Sequence, residues 1–73
     1  MRENSKLLIN FGKQVQKRRE FLGLNKSELA DNAGLDRTYI GGIERGERNP
    51  TLTTMYKLAK ALQLKPEKLL PKN

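Results

Sequence analysis

Seventy-three residues with 15 Lys and Arg against 8 Asp and Glu, a net charge of +7, and no cysteine or histidine describe one small basic domain. Without cysteine there is no disulfide framework or thiolate metal site, and without histidine the commonest general base and metal ligand are gone, so neither an enzyme nor a cofactor is expected. No apolar run approaches membrane-spanning length and no signal-peptide pattern is present, so a soluble cytoplasmic protein is expected, with a charge that favours polyanions.

In chain order, residues 1–4 are expected to fray, with Asn4 or Ser5 capping a first helix that runs to about Leu22. Leu8, Phe11, Val15 and Leu22 recur there at helical spacing, with Arg18 or Arg19 on the same stripe. Gly12 inside this helix costs about 1 kcal/mol relative to alanine. Lys6, Lys13, Gln14 and Lys17 face outward, and Gly23 ends the helix. Asn25 is a good N-cap for a second helix, and Glu28 three residues on completes a capping box. Gly34 stops that helix, Asp36 caps a third over Arg37 to Arg45, and Gly46 stops it in turn. Each of these two helices is too short to be stable alone. Leu29, Ala33 and Leu35 can share a core with Ile40 and Ile43, and the small Ala30 lets the two helices cross closely.

After a loop at GERNPT, Thr51 caps a fourth helix over about Leu52 to Leu62. Leu52, Met55, Ala59 and Leu62 form its stripe, widened by Leu58. Pro66 opens a short last helix with Glu67 in its first turn, Leu69 and Leu70 as its apolar residues, and Pro71 at its end. The fold class is therefore all-α, a compact five-helix domain over residues 1–73 with a helix-turn-helix at about 25–46.

Counted from Lys26, Ala30 is fifth, Gly34 ninth, and Ile40 and Ile43 fifteenth and eighteenth. With the sequence IERG, this pattern resembles the DNA-binding helix-turn-helix of the phage repressor and Cro family, and the flanking segments RREFLGLNKSELA and MYKLAKALQL look like successive parts of the same family. The stretch LDRTYIGGIERGERNP most resembles the controller proteins of restriction–modification systems, which are small dimeric regulators. The resemblance implies a lambda-repressor-like fold and a sequence-specific regulator of transcription that binds a palindromic double-stranded DNA operator as a homodimer, with RNA polymerase as a further contact. The alternative is an antitoxin or phage-type repressor of the same fold whose role includes a protein partner.

Roles for individual residues follow. With Ile40 and Ile43 inward, a 100° step per residue turns Thr38, Gly41, Gly42 and Arg45 to the opposite side. Arg37 flanks that side at the helix N-terminus, where a recognition helix meets base edges. Arginine can bond bidentately to guanine and threonine can touch a thymine methyl, so Arg37, Thr38, Gly41 and Gly42 are the expected base contacts. Two adjacent glycines cost the helix about 1 kcal/mol each; the expected return is close approach of bare backbone to DNA. By the resemblance, Lys26 beside the second helix's start and the cluster Arg45, Arg48 and Asn49 after the recognition helix are expected phosphate contacts. The Tyr39 hydroxyl is a further one, unless its ring serves core packing alone, and Lys57 on the next helix is left without an assigned role. By the resemblance, Arg19 and Glu44 form an ion pair tying the first helix to the recognition helix. Leu64, Leu69 and Leu70 are the expected dimer surface, with Tyr56 or Leu62 beside them.

Overall fold

The computed structural model describes residues 2–71 and places five helices among them: α1 (Arg2–Phe21), α2 (Lys26–Ala33), α3 (Arg37–Glu44), α4 (Leu52–Ala61) and α5 (Pro66–Leu69). α1 starts earlier than the caps suggested. Asn4 and Ser5 lie inside it, and of the segment expected to fray only Met1 falls outside the described residues. No glycine or proline stands before Gly12, and serine or asparagine inside a helix costs only a few tenths of a kcal/mol, so nothing local forces a later start.

The punctuation of the middle of the chain is local chemistry. The Asn25 side chain accepts from the Glu28 amide at 2.8 Å, and the Glu28 carboxylate accepts from the Asn25 amide at the same distance. Asp36 accepts from the amides of Thr38 and Tyr39 at 2.9 and 3.3 Å. Gly34 adopts φ 68°, the left-handed conformation that ends α2 and turns the chain into α3. Thr51 caps α4, accepting from the Thr54 amide at 3.1 Å.

The core joins Phe11 and Val15 of α1, Leu29, Ala30 and Ala33 of α2, Ile40 and Ile43 of α3, Leu58 and Ala59 of α4, Leu62 just after it, and Leu69 of α5. α4 keeps the expected stripe at Leu58, Ala59 and Leu62, with Met55 half-buried against the core, and departs from it only at Leu52. Thr54, Leu58 and Leu62 face inward, whereas Leu52 is 66% exposed. The Thr51 hydroxyl donates to the Thr54 hydroxyl at 3.1 Å, which satisfies this buried polar side chain. Leu69 closes the core at 1% exposure while Leu70 stands 49% exposed in extended backbone. Leu69 therefore leaves the expected dimer surface, as does Leu62, which is fully buried.

Two glycines set how α1 meets α3. A Cβ at Gly12 would strike the carbonyl oxygen of Ile43 and come within 2.7 Å of that of Glu44. Gly46, at φ 78°, packs its backbone on Ile9. α1 thus runs backbone to backbone across the C-terminal end of α3. At the other end of α1, Arg18 donates to the Leu62 carbonyl at 2.9 Å and lies over the Phe21 ring. Cationic donors suit the unpaired carbonyls at a helix C-terminus, here that of α4.

Candidate nucleic-acid interface

α3 is short, so its aim depends on what holds it. Arg19 of α1 and Glu44 at the end of α3 are joined by two hydrogen bonds, Nε to Oε2 at 2.6 Å and Nη2 to Oε1 at 3.0 Å. The two side chains are 9% and 3% exposed. Arg19 Nη1 also donates to the Leu24 carbonyl at 2.8 Å, in the link between α1 and α2. One guanidinium therefore ties together α1, that link and α3. The hydrogen bond to Glu44 raises the Arg19 pKa further above its already high ordinary value. A raised folded-state pKa on a base gives stability that is whole below the unfolded pKa and lost only as pH climbs through the folded one, so the arginine side of this pair does not titrate near neutrality.

With α3 fixed in this way, Arg37 and Thr38 stand exposed in its first turn. Arg45, Arg48 and Asn49 are exposed at and beyond its far end, Lys26 is half-buried at the first position of α2, and Lys57 is exposed on α4. Arg45 Nε pairs with the Glu47 carboxylate at 3.1 Å on the surface, a contact weak enough to yield to a phosphate. Tyr39 is half-buried, its ring packed against the core and faced by the Arg48 guanidinium at 5.7 Å. Arg48 and Tyr39 were each legible as separate candidates; their pairing was not.

The glycines depart from expectation. Gly41 and Gly42 lie on the outward side of α3 but are buried. The Arg45 guanidinium covers the first and the Arg48 stem the second. Bare backbone is therefore not what this face presents; arginine is.

The family model HTH_3, helix-turn-helix, matches residues 15–69, from the middle of α1 to the end of α5. The chain belongs to the helix-turn-helix family. Among its relatives, Control protein C.SmaI of Serratia marcescens is 50% identical over 56 residues, a match covering 77% of this chain and 67% of that protein. The crystal structure of the restriction-modification controller protein C.AhdI from Aeromonas hydrophila superposes with a TM-score of 0.85 at 44% identity, over 86% of this chain and 96% of its own. The restriction-modification controller protein C.Esp1396I, solved as a tetramer with its natural 35 base-pair operator, superposes with a TM-score of 0.77 at 37% identity, over 81% and 78% of the two chains. In helix-turn-helix proteins the second helix of the motif lies in the major groove with its N-terminal residues on base edges. In this member of the family the second helix of the motif is α3, and Arg37 and Thr38 are exposed in its first turn. No helix among the described residues is long and apolar enough to cross a membrane.

Proposed function

We propose that this protein is a transcriptional regulator of the restriction–modification controller type, binding a palindromic double-stranded DNA operator as a homodimer. The observation that carries the reading is α3 itself: a recognition helix with Arg37 and Thr38 exposed at its N-terminus, locked to α1 by the buried Arg19–Glu44 pair. Arg37 reads a guanine and Thr38 an adjoining base, and Lys26, Arg45, Arg48 and Asn49 hold the backbone on either side. The reading implies a cytoplasmic protein with RNA polymerase as a second partner. Selection of bound duplexes from a random pool tests it. The expected product is a palindrome with half-sites about one DNA turn apart, ~34 Å; a pool that gains no common sequence would refute it.

One recognition helix reads too few base pairs to be selective in a genome, which is the reason for two copies. The exposed apolar residues Leu52, Tyr56 and Leu70 adjoin one depression, and Leu70 with Leu7 adjoins another beside it. This continuous face is the one a second copy covers. Leu64, half-buried, lies with Phe21 and Arg18 at a separate depression and is not part of it. Leu70→Glu should sediment as a folded monomer at tens of micromolar and bind the selected duplex weakly. Leu69→Glu should instead unfold, because Leu69 belongs to the core. A Leu70→Glu protein that remains dimeric would remove this face from the interface.

A further inference from the structure

Gly42 is covered by a side chain that does not belong to its own turn. A Cβ built there would stand 2.8 Å from Arg48 Cγ and 3.4 Å from Arg48 Nε. The arginine stem occupies the place of the missing side chain, and its guanidinium carbon lies 5.7 Å from the Tyr39 ring centroid. Tyr39 precedes Gly42 by three residues, so ring and bare Cα are neighbours on the helix surface. The other glycines differ. Gly12 meets backbone, Gly46 meets Ile9, and Gly41 meets only the tip of Arg45, Nη1 at 3.1 Å.

We propose that Gly42 is a positioning residue: its bare Cα is the seat that lays Arg48 across α3 and onto Tyr39, with the guanidinium held beside the recognition helix for the DNA backbone. A free arginine side chain carries much rotamer entropy, which binding would otherwise have to remove; a seated one has lost part of it beforehand. Glycine costs the helix stability at this position, and the return is the placement of Arg48. This inference rests on the DNA-binding reading for its purpose, but the seat exists in the free protein and is measurable there.

The experiment has two arms. In the free protein the Arg48 guanidinium carbon lies 5.7 Å from the Tyr39 ring centroid, so the Arg48 Nε proton and the adjoining δ-methylene protons should be shifted upfield in the NMR spectrum. Gly42→Ala should move them back toward the values of an unstructured chain, and Gly41→Ala should not. Gly42→Ala should shift the melting point little, because the helix propensity alanine returns offsets the χ1 change needed to move Arg48 Cγ aside. On the duplex enriched from the random pool, Gly42→Ala should bind about tenfold more weakly per half-site, the effect of removing one charge-assisted hydrogen bond to a phosphate. The salt slope should become shallower by about one. In an Arg48→Ala background Gly42→Ala should cost nothing further.

Arg48 resonances that stay in place in Gly42→Ala would overturn the seat. Equal losses of binding in both backgrounds would also overturn it, showing that the glycine backbone meets DNA directly. A lowered melting point with a loss independent of Arg48 would make Gly42 a packing glycine instead. An unmodified protein that enriches no duplex overturns the DNA-binding role given to Arg48, while the resonance shift still decides the seat.

Discussion

Arg19→Met should cost about 3–5 kcal/mol, the range for a buried ion pair broken by removing one partner. Glu44 is nearly fully buried and takes both hydrogen bonds from this guanidinium, so methionine leaves a carboxylate with neither water nor a donor. A domain of this size has little to spare against such a loss. Replacing both partners, Arg19→Met with Glu44→Leu, should recover much of it, since apolar residues of similar volume often substitute for a buried pair without penalty. The same double variant should nonetheless bind DNA less well if the pair sets the angle of α3. Urea melts of the two single variants and the double decide the first point: losses that simply add would mean that the side chains do not act on each other.

Gly12→Ala should be the most damaging single methyl group in the protein. Its Cβ would be driven into the carbonyls of Ile43 and Glu44, and backbone at the end of a helix cannot rotate away as a side chain can. Alanine returns about 1 kcal/mol of helix propensity, while overpacking costs ~1–3 kcal/mol and at times more. With backbone as the obstacle the upper end applies, and a net loss of about 2 kcal/mol or more is expected. Because the clash falls beside Glu44, α1 and α3 should separate where Arg19 bridges them. A Gly12→Ala protein as stable as its parent, by denaturant midpoint at unchanged slope, would show that the helices are not held this close.

These two residues mark what can and cannot be read from a chain of letters. The capping box of Asn25 and Glu28, the Asp36 cap and the glycine stops at Gly34 and Gly46 are contacts between residues a few positions apart, so spacing alone reveals them. The Arg19–Glu44 pair spans 25 positions; only the family resemblance, not periodicity, proposed it. The penalty of Gly12 was legible but its purpose was not, since a close crossing is a property of two helices and the sequence shows one at a time. α5 ends at Leu69, and Leu70 is already in extended backbone that points it away from the core; with two adjacent leucines before Pro71, no local signal says which one closes the core. The outward placement of Gly41 and Gly42 followed from the helix period. Their cover did not, because Arg45 and Arg48 reach back from positions after the helix has ended.

On this reading α3 meets the base edges while its flanks hold phosphates. Competition titrations on the selected duplex, with each base pair of a half-site changed in turn, separate the two roles. Arg37→Ala should weaken binding by ~1–3 kcal/mol and erase the preference at one base pair per half-site, leaving the others intact. Lys26→Ala should weaken binding to every sequence alike and make the salt dependence shallower. If Arg37→Ala instead weakens all duplexes equally and every base preference survives, α3 does not read the operator through Arg37, and the assignment of the recognition face is wrong.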